Sequence, residues 1–453
     1  MVRQATAQTH PPQPKQPAAA ERRGAAATAR GEILPFKAFE RTLANGLKVI
    51  VVPTGFPNIV SLQIPVQTGS RNEVEPGKTG FAHLLEHIMF RGTKAYPPEK
   101  YEAILKQAGA ASNAYTTDDF TAFHTTFSKE DLETMLRMEA DRFQNLDYSE
   151  SAFRTETLAV LGEYNKNSAS PTQKLYEVLS NTVFDKHTYK HTTMGFLKDI
   201  QDMPNQYAYS RQFFDRYYRP EYTTIIVAGD VTPALSQNLV TKYWGAWKRG
   251  SFRPDIPPEP PPSGPRSGHV DWPTPTLPWL AVAFRGPAYS DTASDQAVLD
   301  IISFLGFSES SELYQKLVID EQKVDQLEAE NPDRVDPNLF TVLARVKKAE
   351  DVDSVRQDVM AALGRFKTTP VAKERLETVK SHLRYSFALR MDNSEAIAES
   401  LARYVALRRT PETINRLYQL YSQVTPEDIQ RIANQYFVDQ GRTVVTLKGG
   451  NAK

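Results

Sequence analysis

Gly80-Phe-Ala-His83-Leu-Leu-Glu86-His87-Ile-Met-Phe-Arg-Gly92 is the stretch on which the reading of this chain turns. It holds no proline, follows Thr79, and ends at Gly92, a residue suited to closing a helix. Residues four apart on a helix share a face, one turn from each other. His83 and His87 can therefore reach one ion through their imidazole nitrogens. Glu86 lies close to the same face, where it can touch a water beside that ion without being a ligand. Leu84, Leu85, Ile88, Met89 and Phe90 predict that this helix is largely buried, and buried imidazoles and carboxylates need partners. Histidines satisfied by core hydrogen bonds are the competing reading. H-x-x-E-H is the inverted form of the commoner metal-binding helix motif. With eight histidines in 453 residues, chance explains it poorly.

Composition narrows what such a site can be. There is no cysteine, so thiolate ligands, disulfides and cysteine catalysis are excluded and a metal must be held by His, Asp or Glu. Lys plus Arg equals Asp plus Glu at 54 each, a balance that argues against a nucleic-acid partner. No apolar run is long enough to span a membrane. Residues 1–31 lack the apolar core of a secretory signal and read as a disordered leader.

A zinc ion in a catalytic site takes three protein ligands and keeps one position open. The helical pattern Phe153-Arg-Thr-Glu156-Thr-Leu-Ala-Val-Leu-Gly-Glu163 offers two carboxylates, two turns apart on one face. Spacing leaves both open as the third ligand, and a solvated helical face is the bland alternative for each.

The rest of the chain reads as two similar halves, an α+β arrangement of two homologous α/β-sandwich domains. A turn at Asn45-Gly46 precedes a strand through Val52. A strand over Ile59–Thr68, a β-rich run over Tyr115–Phe127, helices over 128–144 and 151–167, a strand over Tyr222–Val227 and a helix over 233–247 follow. Residues 249–278 are rich in proline, from Pro254 to Pro278, which excludes a helix or central strand and predicts a linker. Beyond it come a strand (Trp279–Arg285), helices over Ala293–Leu305 and Ser311–Glu321, a strand (Leu339–Val346), further helices to 437 and a last strand at Thr443–Leu447. The domains are thus 32–248 and 279–450. Aligning Gly306 with Gly92 sets Ala297, Asp300 and Ile301 opposite His83, Glu86 and His87, so only the first half has metal-ligating residues there.

These features together resemble the insulinase (pitrilysin, M16) family of zinc peptidases, in its short-chain branch. The N-G-L-x-V opening at Asn45, H-x-x-E-H, the E-x6-E helix and the proline-rich segment occur in order. The resemblance implies one Zn2+ per chain, with His83, His87 and Glu163 as ligands and Glu86 as general base. Glu156 would then orient a ligand from outside the coordination shell. The implied reaction is hydrolysis of peptide bonds in unfolded or small peptides. Gly109-Ala-Ala-Ser-Asn113-Ala114 resembles the family's substrate-binding strand edge, which assigns Asn113 and Ala114 to substrate contact.

One feature departs from the family pattern. Active relatives carry an Arg and a Tyr seven apart, and Val318 and Asp325 stand at those positions here. Neither side chain can donate the hydrogen bonds required. The resemblance therefore implies a homologous partner subunit that supplies the Arg/Tyr pair, as a heterodimer, with a homodimer as the other arrangement. By the same analogy the location is periplasmic, with cytoplasmic as the alternative. A non-catalytic interaction or peptide-binding subunit with a structural zinc is the competing function. His187 and His191, also four apart, read as loop residues.

Overall fold

The computed structural model describes residues 32–450, so the leader expected over 1–31 lies outside the described residues. In the first half, β1 (Phe39–Thr42), β2 (Lys48–Pro53), β3 (Ile59–Val66), β4 (Ala111–Thr116), β5 (Thr121–Ser128) and β6 (Thr224–Gly229) form a sheet in the order β1-β2-β6-β3-β5-β4. In the second, β7 (Arg266–Trp272), β8 (Trp279–Arg285), β9 (Val324–Glu330), β10 (Leu339–Val346) and β11 (Arg442–Gly449) follow the order β7-β11-β8-β10-β9. β2 runs parallel to β6, and β7 parallel to β11; the other pairs are antiparallel. Setting β2-β6-β3-β5-β4 beside β7-β11-β8-β10-β9 makes the two topologies coincide, with β1 as an addition. The internal repeat is therefore real, and the fold is the expected α+β pair of sheets packed with helices.

Local chemistry explains the frame. Asn45-Gly46 turns the chain between β1 and β2: Gly46 takes φ +91°, Leu43 N–H donates to Leu47 O, and Leu47 N–H donates to the Asn45 side chain. β2 and β6 read as continuous apolar runs because both of their faces are covered.

Three segments differ from expectation. The proline-rich stretch is not all linker, because residues 266–272 within it form β7 at the edge of the second sheet. Pro265 and Pro273 flank that strand without entering it, and an edge needs a ladder on one side only. The helix expected over Ser311–Glu321 is α-helical only at Glu312–Tyr314 and continues as a π-helix over Gln315–Asp320. β9 was hidden from periodicity: its buried Val324 and Leu327 are three apart because the register shifts at Arg345/Val346.

The halves also exchange helices. The helix Pro171–Val183 belongs to the first half, between β5 and β6, but packs on β7, β8 and β11, burying Leu175, Leu179 and Val183 against Val270, Ala281 and Val445. The helix Ser394–Arg408 comes from the second half but packs on β3 and β6. Its Ile397, Leu401 and Val405 share a core with Ile50, Val52 and Ile226. Each such aliphatic side chain contributes about 1.5–3 kcal/mol on burial, so the exchange ties the halves together. Among the described residues no helix is long and apolar enough to cross a membrane.

Candidate active site

The motif helix spans Phe81–Met89 and starts from Gly80, whose left-handed φ of +88° admits no side chain easily. A Cβ there would also stand 2.8 Å from the Met194 carbonyl oxygen. The buried Glu73 carboxylate caps the helix, accepting from the amides of Gly80 and Ala82, both at 2.7 Å. Burial raises the Glu73 pKa, with the two amide hydrogen bonds opposing the rise. Leu84, Leu85, Ile88 and Met89 are fully buried, which fixes the roll of the helix and turns His83, Glu86 and His87 toward one side.

His83 Nε2 and His87 Nε2 lie 3.3 Å apart, and Glu163 Oε2 lies 3.5 Å from the first and 3.4 Å from the second. Corners of a tetrahedron about 2.0–2.2 Å from its centre, the bond lengths zinc makes to these atoms, stand roughly 3.3–3.6 Å apart. The donor set and its spacing therefore fit zinc. Burial, followed by the neighbouring His87, lowers the His83 pKa to about 4 against the opposing pull of Glu163. At neutral pH His83 is uncharged and has a lone pair to offer.

The helix Glu150–Asn167 separates the two carboxylates that spacing could not. Glu163 faces both Nε2 atoms, whereas Glu156 Oε2 lies 3.3 Å from His87 Nδ1. Glu156 is buried and its other oxygen is ion-paired with Arg91. Accepting from Nδ1–H would select the tautomer that leaves His87 Nε2 free to ligate. His83 Nδ1, in contrast, is buried with no hydrogen-bond partner among the described residues.

Glu86 stands beside the triangle, its Oε2 accepting from the Thr116 hydroxyl at 2.6 Å. Burial raises its pKa; the Thr116 bond and His87 oppose the rise, and Glu163 adds to it. That shift moves a carboxylate toward the range useful for proton transfer.

These groups open onto a cleft of about 670 Å3 between the halves. Ala114 and Thr116 line it from β4, the edge strand of the first sheet, while Asn113 is exposed and outside the lining. The Asn113 side chain instead accepts from the Ala114 amide at 2.9 Å. Glu330, Arg334, Asn338 and Thr341 line the opposite wall from the second half. His187 and His191 are buried rather than loose: His187 Nε2 meets Asp336 at 2.9 Å, and His191 joins the cleft lining. Thr116 could have been read from strand alternation, two residues after Ala114. Glu73 and the second-half wall had no local signal.

A family model described as insulinase (peptidase family M16) matches residues 49–196, and one described as the M16 inactive domain matches residues 206–383. The chain belongs to the M16 insulinase family. Within it, the zinc protease PqqE of Helicobacter pylori is 28% identical over 413 residues, covering 90% of this chain and 92% of that protein. The mitochondrial-processing peptidase subunit beta of Blastocladiella emersonii is 23% identical over 417 residues, covering 89% and 87%. Among solved structures, a protease from Helicobacter pylori superposes with a TM-score of 0.85 at 28% identity, over 91% of this chain and 99% of that one. This M16 chain thus has zinc proteases among its relatives along nearly its whole length.

Proposed function

We propose that this chain is a zinc-dependent endopeptidase subunit, with His83, His87 and Glu163 holding one zinc ion and Glu86 as general base. The observation that carries the reading is the triangle of three donor atoms at 3.3–3.5 Å, open to a cleft and flanked by a carboxylate. Zinc held by His83, His87 and Glu163 would supply Lewis-acid chemistry toward the scissile carbonyl and the attacking water. Glu86 takes the proton of the attacking water and returns it to the leaving amine. Thr116 holds Glu86 in place between the motif helix and β4. Glu156 holds the His87 ring. The free edge of β4, around Asn113 and Ala114, takes a peptide as an added strand through backbone hydrogen bonds, with little demand on sequence. Unfolded or small peptides are the substrates that can offer such a strand.

A homologous M16 subunit completes the site. Val318 sits in the π-helical segment, and Asp325 is held by Arg345 through two contacts at 2.8 and 3.0 Å. Neither is placed to donate to a substrate carbonyl. The test is zinc content together with hydrolysis of an unstructured peptide, for the pure chain and for the chain mixed with its paralogue. Zinc-dependent cleavage that needs the partner is the expected result. Full activity of the pure chain removes the partner from the proposal, and zinc without cleavage in either preparation favours a peptide-binding subunit. We also propose a periplasmic location, which cell fractionation checks.

A further inference from the structure

The cleft contains a carboxylate that neither the metal site nor the proton transfer uses. Glu330 ends β9, the edge strand of the second sheet, on the wall that faces the first half. It is half-buried, and its Oε1 accepts from the Tyr176 hydroxyl at 2.7 Å. Tyr176 projects from the helix that the first half lends to the second sheet and lines the same cleft. The carboxylate is thus held by one half on a wall built by the other.

Its charge is only partly compensated, by Arg334. Among the described residues Glu330 is in no ion pair, and the neighbouring cation, Arg334, is engaged by Asp118 at 2.6 Å. The other acids lining the cleft are accounted for: Asp118 has Arg334, and Glu86 and Glu163 belong to the proposed metal site. Burial raises the Glu330 pKa and Glu328 adds to the rise, with the Tyr176 hydrogen bond and Arg334 opposing. A carboxylate so placed gains when a cation seats against it, because the partner restores what desolvation removed.

We infer that Glu330, positioned by Tyr176, is a specificity-determining residue that receives a basic side chain, lysine or arginine, of a peptide lying along the cleft. β4 and β9 are equivalent edges in the two sheets, and both border this space. A peptide added to β4 presents alternate side chains away from the first sheet's core, toward the wall that carries Glu330. Backbone pairing on β4 gives affinity with little selectivity; Glu330 supplies the selectivity.

The inference rests on the peptide-cleft reading above but not on hydrolysis, so binding tests it separately. Zinc-loaded full-length chain carrying Glu86→Gln is titrated with short labelled unstructured peptides that differ by a single lysine, glutamine or glutamate, scanned along the peptide. At one position the lysine peptide is expected to bind about tenfold tighter than the glutamate peptide, the size a partly desolvated ion pair supplies. Adding Glu330→Gln should abolish that difference while leaving the glutamine peptide within about twofold, and Glu330→Lys should invert it. Equal binding of lysine and glutamate peptides at every position, or a preference that survives Glu330→Gln, overturns the inference. Hydrolysis by the parent chain mixed with its paralogue is followed in parallel, and its failure counts against the peptidase reading alone.

Discussion

The helix Phe81–Met89 and the helix Asp295–Phe307 hold corresponding places in the two halves, yet one borders a cleft and the other is core. His83 and His87 face Ala297 and Ile301 across the repeat, and the latter two are fully buried. Glu86 corresponds to Asp300, and both carboxylates are hydrogen-bonded: Glu86 by Thr116, Asp300 by Asn331 and Tyr421 at 2.7 and 2.6 Å. Burial, with Asp333 nearby, pushes Asp300 up to about 7. The comparison teaches that the scaffold positions a carboxylate in either half. A metal site additionally needs two imidazoles and a carboxylate from a second helix. Where those are missing, the same surface closes over with alanine and isoleucine.

The strongest way to break the comparison is to remove the proposed base while keeping the proposed ligands. Glu86→Gln should lower kcat by about 10²–10⁴-fold, the span of general acid–base catalysis, with zinc content by metal analysis unchanged. Normal peptide cleavage by this variant would return Glu86 to the status of Asp300, a carboxylate with a structural role.

Grafting the ligands onto the other half is the converse. Ala297→His with Ile301→His should bind no additional zinc, because no Glu163 equivalent has been supplied, and should lower stability by about 2–4 kcal/mol through overpacking and unpaired buried nitrogens. Calorimetry and metal analysis together read this. A second zinc per chain would mean that two histidines suffice.

Glu156→Gln sharpens the contrast between the two carboxylates of one helix. Loss of the partner to His87 Nδ1 should weaken zinc binding by about 10–100-fold in a competitive chelator titration, without abolishing it. Abolition would make Glu156 a ligand and demote Glu163.

The smallest effect concerns the junction between halves. Burial acts to raise the Asp336 pKa, but hydrogen bonds from His187 at 2.9 Å and Arg71 at 2.5 Å outweigh it and hold it down to about 2. A depressed native pKa contributes stability that is fully present above the unfolded value near 3.9 and is lost as pH falls toward 2. Asp336→Asn should cost about 1–2 kcal/mol at pH 6, and the gap to the parent should close between about pH 4 and pH 2 in denaturant titrations. A gap that does not change with pH would show that the aspartate's charge has no part in joining the halves.

Composition, spacing and two strong local signals were enough to expose much of this molecule from its sequence. The Asn45-Gly46 turn, the H-x-x-E-H helix and the strands at Trp279–Arg285 and Leu339–Val346 are determined by short-range chemistry: backbone conformation, side-chain period and the missing amide of proline. Those act between neighbours and are legible one residue at a time. What only the tertiary structure decided involves residues distant along the chain. Which of Glu156 and Glu163 faces the imidazoles depends on how one helix rolls against another. The place of Arg266–Trp272 depends on pairing with a strand near the C-terminus. The crossing of two helices between the halves, and with it the joining of Tyr176 to Glu330, depends on which apolar face each sheet leaves open. Burial of surface has no sequence period of its own, so these decisions appear only when the whole chain packs.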